Sequence, residues 1–168
     1  RDMSCRHCGA TLHTKMIDLG TVPLSNSYLE SKDLTAPERK YPLRVWVCET
    51  CWLVQTEDFV TRENIFHEDY AYFSSVSETW SEHVDAYAQD VIRRFSLDSN
   101  SFVVEVACND GCLLESFDKR EIRSIGVEPT ESAATLARER GLNVIVDFFD
   151  EALGTALAQN YGRSDLVI

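Results

Sequence analysis

The chain is short of positive charge and has no long apolar run. It carries 16 Lys and Arg residues against 28 Asp and Glu, a formal net charge of −12 at pH 7. Nucleic acids and anionic membrane surfaces both select a basic surface, so neither is an expected partner. No segment approaches the ~20 apolar residues of a transmembrane helix, and the first residues lack the apolar run of a signal peptide. These absences favour a cytoplasmic protein.

Glycine and proline are also scarce, with 7 and 4 residues in a chain of 168. The composition is 44% hydrophobic and 26% charged. A disordered segment is typically richer in charge, glycine and proline and poorer in apolar residues. The composition therefore predicts a folded globular protein with one ordinary domain or two small ones.

Two cysteine pairs stand out against these absences. Cys5 and Cys8 form one C-x-x-C motif, and Cys48 and Cys51 form another. A two-residue gap lets both sulfurs of a pair turn to one side, and four thiolates close a tetrahedral site around Zn²⁺. Because such a site has no open coordination position, the zinc is expected to be structural and not catalytic. Gly9, directly after the first pair, can adopt the positive φ that a tight turn requires.

The second pair is predicted to lie at the tip of a β-hairpin. Leu43, Val45 and Val47 alternate before it, and residues 52–55 lead away from it. Residues 9–47 separate the two pairs, which exceeds the roughly 15–20 residues of a compact zinc ribbon, so further structure is expected there. Two disulfides and four buried apolar cysteines are the alternatives. Paired cysteines in a chain of this kind favour metal ligands in a reducing compartment.

The remaining pattern divides the chain into three parts. Residues 1–60 have strand and turn character, including a turn at 20–23, and form the expected zinc-binding module. Residues 61–98 are predicted to be mainly helical, as a junction that contributes to the active site. Ser77 can cap a helix there. An apolar stripe at helical spacing, expected to be core, consists of Trp80, Val84, Tyr87, Val91, Ile92 and Phe95.

Residues 99–168 alternate strands and helices. Residues 102–106 are nearly all apolar, as expected of a buried parallel strand. Further strands are predicted at 124–127, 143–146 and 165–168, with helices between them at 112–117, 131–140 and 150–160. Gly141 follows the second of these helices, at the position that favours glycine.

This βαβαβαβ order predicts an α/β fold class. A small, β-rich zinc-binding module with four cysteine ligands is followed by the first half of a Rossmann-like, doubly wound sheet. Because the pattern stops within its fourth strand, we interpret the chain as part of a longer protein.

The loop after the first of these strands is the predicted cofactor-binding element. Doubly wound sheets bind nucleotide-type cofactors at the carboxyl ends of their strands. A dinucleotide needs G-x-G-x-x-G there for its pyrophosphate, whereas this loop has one glycine and is flanked by acids that would repel a phosphate. A cofactor with a positive sulfonium and no phosphate fits better, so S-adenosylmethionine is expected. The residues concerned are Glu105, Ala107, Asn109, Asp110 and Gly111.

Acidic residues also end the next two strands. Glu128 ends the second strand, where an acid can accept hydrogen bonds from two ribose hydroxyls. Asp147 follows the third strand, where it could meet an adenine edge, with Phe148 alongside to pack on the ring. Any one of these acids alone could be an ordinary strand-end cap. Three successive strand ends with an acid favour a cofactor site.

Taken together, these motifs resemble the sugar C-methyltransferases that act on nucleotide-linked deoxysugars. The resemblance spans essentially the whole chain. Besides the four cysteines, it is carried by Pro-Leu-Ser-Asn at 23–26, Tyr-Ala-Tyr-Phe-Ser-Ser at 70–75, Glu-Val-Ala-Cys-Asn-Asp-Gly-Cys-Leu-Leu at 105–114, Gly-Val-Glu-Pro at 126–129 and Val-Asp-Phe-Phe at 146–149.

The resemblance implies methyl transfer from S-adenosylmethionine to a carbon beside a ketone of a nucleotide-linked keto-deoxysugar. It implies that Tyr72 faces the reacting sugar. It also implies that the cofactor site is lined by Glu105, Asn109, Gly111, Glu128 and Asp147. Ala107 stands where these enzymes usually have glycine, so its methyl group is either tolerated or crowds the methionine moiety.

The family's catalytic base, a histidine beside an acid, is expected beyond position 168. Carbon methylation needs such a base because the carbon must lose a proton before it attacks the methyl group. The chain alone is therefore expected to be inactive. Two other hypotheses are a zinc-stabilised interaction module with a non-catalytic α/β domain, and a nucleotide-sugar oxidoreductase. The acidic strand ends argue against the first, and the missing glycines argue against the second.

Overall fold

A computed structural model describes residues 3–66 and 70–168, which form two compact units, Arg1–Ile65 and Phe66–Ile168. Each unit has its own sheet and its own buried cluster. Residues 67–69, which belong to the predicted junction at 61–98, lie outside the described residues. In the described part of the chain, no helix is long and apolar enough to cross a membrane.

The first unit contains a three-stranded antiparallel sheet with strand order β1-β2-β3. Its strands are β1 (Thr14–Val22), β2 (Tyr41–Val47) and β3 (Val54–Thr56), and a short helix α1 (Arg62–Ile65) follows them. Val47 pairs with Val54 where β2 and β3 meet. Cys48 and Cys51 therefore lie at the tip of a hairpin, as predicted.

Strand β1 continues through residues 20–22, where the sequence predicted a turn over 20–23, and that prediction is wrong. The chain stays paired with β2 as far as Val22, and two irregularities in register absorb the extra residues. Gly20 has a φ of 79°, and its N–H donates to Asp18 Oδ1 at 3.0 Å. A bulge with glycine in the left-handed region bends a strand without ending it, and from sequence this resembles a turn.

The second unit contains a four-stranded parallel sheet with order β6-β5-β4-β7, which confirms the predicted α/β class. Its strands are β4 (Phe102–Val106), β5 (Arg123–Val127), β6 (Val144–Ile145) and β7 (Leu166–Val167). Its helices are α2 (Glu78–Phe95), α3 (Cys112–Asp118), α4 (Glu131–Glu139) and α5 (Glu151–Tyr161). The order reverses at β4, whose two neighbours lie later in the chain, and this is the arrangement that opens a crevice at the strand's carboxyl end.

Both faces of β4 are buried, which explains why all of its residues except Glu105 are apolar. Val103 packs in a cluster with residues of α2 and α3, including Ala88 and Phe117. Phe102 and Val104 point to the other face and pack with Leu157 of α5. Because successive side chains alternate across a sheet, a strand covered by helices on both sides is apolar at nearly every position.

Most of the described residues of the junction are helical, as predicted. Among its described residues, only α1, a 3-10 turn (Ser74–Val76) and α2 are helical. Ser77 caps α2, as predicted: its side chain accepts a hydrogen bond from the N–H of Trp80 at 3.3 Å.

The apolar stripe of α2 is only partly core. Val84 and Val91 are buried together with Ala88, whereas Trp80, Tyr87 and Phe95 are 46%, 41% and 55% exposed. The prediction that the whole stripe is buried is therefore wrong. Helical spacing places a side chain on a face of the helix, but how wide a band becomes buried depends on what packs against it.

Candidate functional site

The four cysteines of the first unit converge on one point. Their sulfur atoms all lie within 4.8 Å of one another. The Cys5–Cys51 and Cys8–Cys48 sulfur pairs are 3.6 Å apart, too far for disulfide bonds of about 2.05 Å. In a tetrahedral centre with Zn–S bonds of about 2.3 Å, neighbouring sulfurs are roughly 3.8 Å apart. The four thiols therefore match the size and chemistry of one closed, structural Zn²⁺ site.

The two cysteine pairs lie on turns with the same backbone geometry. In the first turn the N–H of Gly9 donates to the carbonyl of Cys5 at 2.9 Å, and in the second the N–H of Trp52 donates to the carbonyl of Cys48 at 2.8 Å. Gly9 and Trp52, each directly after its pair, both have positive φ, at 76° and 63°. The sequence indicated the glycine, but the tryptophan in the same conformation could not be foreseen from residue type.

Gln55 is a partner of the cysteine site that the sequence analysis missed. Its side chain is buried, and its Nε2 donates to Cys5 Sγ at 3.3 Å. Its Oε1 accepts a hydrogen bond from the backbone N–H of Arg6 at 3.0 Å. The backbone N–H of Cys8 and the Gln55 side chain together lower the pKa of the Cys5 thiol to about 6. A polar residue in the strand that follows a cysteine pair was the available signal.

Replacing Gln55 by leucine is expected to weaken zinc binding by about 10- to 100-fold, the usual cost of losing a hydrogen bond to a metal ligand. The substitution keeps the side chain's size but removes the donor to Cys5 and the acceptor for Arg6. Competition with a chromophoric zinc chelator measures the affinity. Gln159→Leu, at an exposed position of α5, is the matched control and should leave the affinity unchanged. Equal affinities for the two variants would show that Gln55 does not support the site.

In the second unit, the loop after β4 has an unusual backbone. Ala107, Asn109 and Gly111 have φ values of 58°, 53° and 82°, so every second residue is left-handed. Left-handed backbone costs an ordinary L-residue roughly 1–2 kcal/mol. This explains why glycine is usual at position 107 in the family that the sequence resembles: Ala107 adopts the conformation, with strain.

Glu128 holds this loop in place. It is almost fully buried, and its Oε2 accepts a hydrogen bond from the N–H of Asn109 at 2.9 Å. Its Oε1 accepts one from the N–H of Thr130 at 2.8 Å. The carboxylate predicted to contact a ribose therefore already connects the ends of β4 and β5, and each of its oxygens has one further lone pair for a ligand.

Asn109 and Asp110 hold the segment that carries Tyr72. Asn109 Nδ2 donates to the carbonyl of Tyr72 at 2.9 Å, and its Oδ1 accepts from the N–H of Ser74 at 2.8 Å. Asp110 is buried, accepts from Ser74 Oγ at 2.7 Å and also pairs with both the N–H and the hydroxyl of Ser75. These two loop residues thus fix the backbone next to Tyr72.

The larger of two cavities at this loop, about 350 Å³, brings together most of the predicted site residues. Asp147 is exposed at its edge. The lining also includes aromatic residues of the segment 66–72, which precedes α2, and of the loop after β6. Its lining consists of Phe66, Tyr70, Tyr72, Val106, Ala107, Asn109, Val127, Glu128, Pro129, Asp147, Phe148 and Phe149.

A smaller cavity of about 210 Å³ shares Tyr72, Ala107 and Asn109 with the larger one and contains Glu105. Glu105 is 8% exposed, and its Oε2 is buried with no hydrogen-bond partner among the described residues. Burial, followed by the charges of Glu128 and Asp110, raises the pKa of Glu105 to about 8, although the backbone N–H of Leu114 opposes the shift.

Two predicted residues, Asp110 and Gly111, line neither cavity. Asp110 lies behind the loop with Arg140, whose Nη2 is 3.6 Å from Asp110 Oδ2. Gly111 begins α3 and packs against α4. Trp80, which lines the smaller cavity, was assigned to the core by its spacing, and the arginine had no recognisable signal.

Cys108 and Cys112 are buried packing residues. A Cβ on Gly126 of β5 would lie 2.4 Å from Cys108 Sγ, so the glycine leaves the space that this thiol fills. Burial raises the pKa of both thiols.

Comparison with known proteins relates this chain to methyltransferases. Residues 5–66 match the Methyltransf_13 family, whose model is described as "Putative zinc binding domain". This match confirms the expected zinc-binding module. Over 163 residues the chain is 29% identical to the C-methyltransferase NovU of Streptomyces niveus, an alignment that covers 97% of this chain and 39% of the relative. The expected similarity to C-methyltransferases is therefore confirmed, and the chain spans about two fifths of the length of this curated relative.

Solved methyltransferase structures overlap with part of the chain. Streptomyces venezuelae DesVI is 31% identical with a TM-score of 0.31, covering 36% of this chain and 28% of that one. The magnesium protoporphyrin IX methyltransferase ChlM from Synechocystis PCC 6803, solved with bound SAM, is 17% identical with a TM-score of 0.40, covering 52% and 42%. The α/β fold is assigned from the strand order of this chain and not from these partial overlaps.

Proposed function

We propose that this chain provides the zinc-binding module and the S-adenosylmethionine-binding half-sheet of a C-methyltransferase. The observation that carries the proposal is the loop with left-handed residues after β4, which borders two adjoining cavities. Acids at or near the ends of three neighbouring strands line the same cavities. The similarity to a C-methyltransferase, which extends over 97% of this chain, supports the same activity.

The adenosine part of the cofactor is proposed to occupy the larger cavity. Phe148 offers an aromatic face for the adenine, and Asp147 offers an acceptor for its amino edge. Glu128 retains lone pairs for the ribose hydroxyls. The methionine part then reaches past Ala107 into the smaller cavity, where Glu105 carries negative charge for its cationic groups. The negative charges of the acids at these cavities would repel a phosphate, which disfavours a phosphate-bearing cofactor.

The substrate is proposed to be a nucleotide-linked keto-deoxysugar that meets the cofactor beside Tyr72, which lines both cavities. Its ring is about half exposed, so its hydroxyl can contact a second ligand. No histidine lines either cavity among the described residues, so the proton acceptor that carbon methylation needs is proposed to come from outside them. Thiolate ligands favour a reducing compartment, and we place the protein in the cytoplasm.

Calorimetric titration with S-adenosylmethionine and S-adenosylhomocysteine tests the cofactor assignment. Asp147→Ala is expected to weaken binding by about 1.5–3 kcal/mol, the worth of a hydrogen bond to a charged group. Asp147 is exposed, so its loss should not lower the melting temperature. Asp118→Ala, at an exposed position outside both cavities, is the control and should bind like wild type. No binding of either compound to the folded wild-type chain would refute the proposed function.

Glu128→Ala is also expected to weaken cofactor binding by about 1.5–3 kcal/mol. Because it deprives the N–H groups of Asn109 and Thr130 of their acceptor, its unfolding free energy must be measured in parallel. Binding as tight as wild type would show that Glu128 acts on the loop alone.

Tyr72→Phe is expected to leave cofactor affinity nearly unchanged, because it removes only a hydroxyl on the proposed sugar side. In a longer protein that contains this chain, it should lower turnover of a nucleotide-linked keto-sugar without a matching change in cofactor binding. Steady-state kinetics together with calorimetry separate the two effects. Weaker cofactor binding with intact turnover would assign Tyr72 to the cofactor.

A further inference from the structure

The three buried acids around the loop after β4 differ in how their charge is compensated. Glu128 accepts two backbone N–H groups, and Asp110 accepts hydrogen bonds from Ser74 and Ser75 with Arg140 close by. Glu105 has one stabilising N–H, from Leu114, while its Oε2 has no partner among the described residues. A buried carboxylate with an unsatisfied oxygen is costly unless it is protonated or paired with a cation.

The described surroundings of Glu105 supply negative charge and no free cation. Glu128 and Asp110 raise its pKa by their charge, and burial raises it further. The thiols of Cys108 and Cys112 lie on the same cavity, and burial keeps them protonated by raising their pKa values. From α2, Trp80 and Val84 line the cavity, and the ring of His83 lies tilted by 31° against Trp80, with ring centroids 5.3 Å apart. Tyr72 completes the wall, and Arg140 is engaged with Ser75 and Asp110.

The cavity itself is suited to a cation. Glu105, whose Oε2 has no hydrogen-bond partner among the described residues, lines it together with Tyr72 and Trp80, and aromatic rings attract cations. A cationic ligand would compensate the charge of Glu105 and could take the place of the proton.

We propose that Glu105 is a proton-exchanging subsite for the cationic end of the cofactor, carrying a proton when no cofactor is bound and releasing it when the cation enters. This inference rests on the proposed function. The exchange is balanced: the protonated carboxyl and the cationic ligand give an ion pair and one proton, which passes to the solvent. Cofactor affinity should then depend on pH through this one side chain.

Calorimetric titration of the chain in two buffers with different ionisation enthalpies measures the protons released. For S-adenosylmethionine near pH 7, we expect close to one proton released per bound molecule. Affinity should rise by up to about tenfold per pH unit between roughly pH 5 and 8 and then level off. 5′-Methylthioadenosine, which lacks both cationic groups, should bind without proton release. S-Adenosylhomocysteine, which keeps the ammonium and lacks the sulfonium, identifies the group that Glu105 faces.

Glu105→Gln is the decisive variant, since it imitates the protonated side chain and cannot release a proton. The α-amino group of the ligand itself titrates near pH 7.7–8.0. The contribution of Glu105 is therefore read as the difference between wild type and variant. We expect the variant to lose the rise in affinity with pH.

A second measurement does not depend on the variant. The ¹³C shift of the Glu105 carboxyl carbon should titrate well above the ordinary range without ligand, and its pKa should fall when the cofactor is bound. Cofactor binding without proton release, or with the same pH slope in Glu105→Gln, would overturn the inference and leave the proposed function standing. Absence of cofactor binding at any pH would refute both.

Discussion

Removing the metal is expected to unfold the first unit, Arg1–Ile65, while the helices of the second unit persist. The fully buried cluster of the first unit consists of Cys5, Leu12 and Cys48, so little apolar core would remain there without a metal. Structural zinc in small modules contributes about 10–16 kcal/mol, and in such modules metal-binding energy is largely folding energy. Elemental analysis should find one zinc per chain, and after chelation the NMR signals of β1, β2 and β3 should lose their dispersion.

Cysteine variants make the same test site by site. Cys8→Ser should lose zinc and order in the first unit, whereas Cys112→Ser, a buried cysteine outside the cluster, should keep both. Well under one zinc per chain in protein purified without chelator would contradict the assignment. A first unit that stays folded after complete zinc removal would show that the metal is not what holds it.

Gly111→Ala is expected to destabilise the second unit by about 2–5 kcal/mol, through two additive causes. Gly111 has a φ of 82°, which costs an alanine roughly 1–2 kcal/mol. A Cβ there would also lie 2.4 Å from Leu142 Cδ1 and 3.0 Å from Ala137 Cβ, and overpacking of this kind costs about 1–3 kcal/mol. Denaturant unfolding of the chain measures the change.

Gly141→Ala separates the two causes. Gly141 has nearly the same φ, 84°, but apart from its two chain neighbours no described residue has an atom within 4 Å of the position that its Cβ would occupy. Its substitution should cost only about 1 kcal/mol, because the backbone strain is partly offset by the lower entropy of the unfolded chain. Equal losses for the two variants would mean that α4 moves aside and that close packing at Gly111 contributes nothing.

Much of the second unit could be predicted because its elements have strong local signals. The apolar run at β4 and the glycine after α4 correspond to burial on both faces of the sheet and to a left-handed helix end. The cysteine spacing likewise predicted the metal site, since a C-x-x-C pair brings its two sulfurs together on one turn. A glycine can mark either a turn or a bulge within a strand. At Gly20 the sequence alone predicted a turn, whereas the structure has a bulged strand.

The roles of individual site residues were harder to predict. Asn109 and Asp110 were expected at the cofactor, yet their side chains hold the backbone around Tyr72 and Ser74. Those partners lie 35 or more positions earlier in the chain. A side chain's hydrogen-bond partner across such a separation depends on how the segments pack, which no local pattern encodes.

By itself, the sequence determined the class of most elements and the tetrathiolate cluster, and it predicted the loop where a cofactor would approach. These follow from residue type and spacing along a few neighbouring positions. Only the tertiary structure decided that Gln55 supports Cys5 and that the aromatic side of α2 stays exposed. It also decided that Glu105, alone among the three buried acids, has an oxygen without a partner in the described part of the chain. Burial and hydrogen-bond satisfaction are properties of packing, because they depend on atoms that distant parts of the chain bring together.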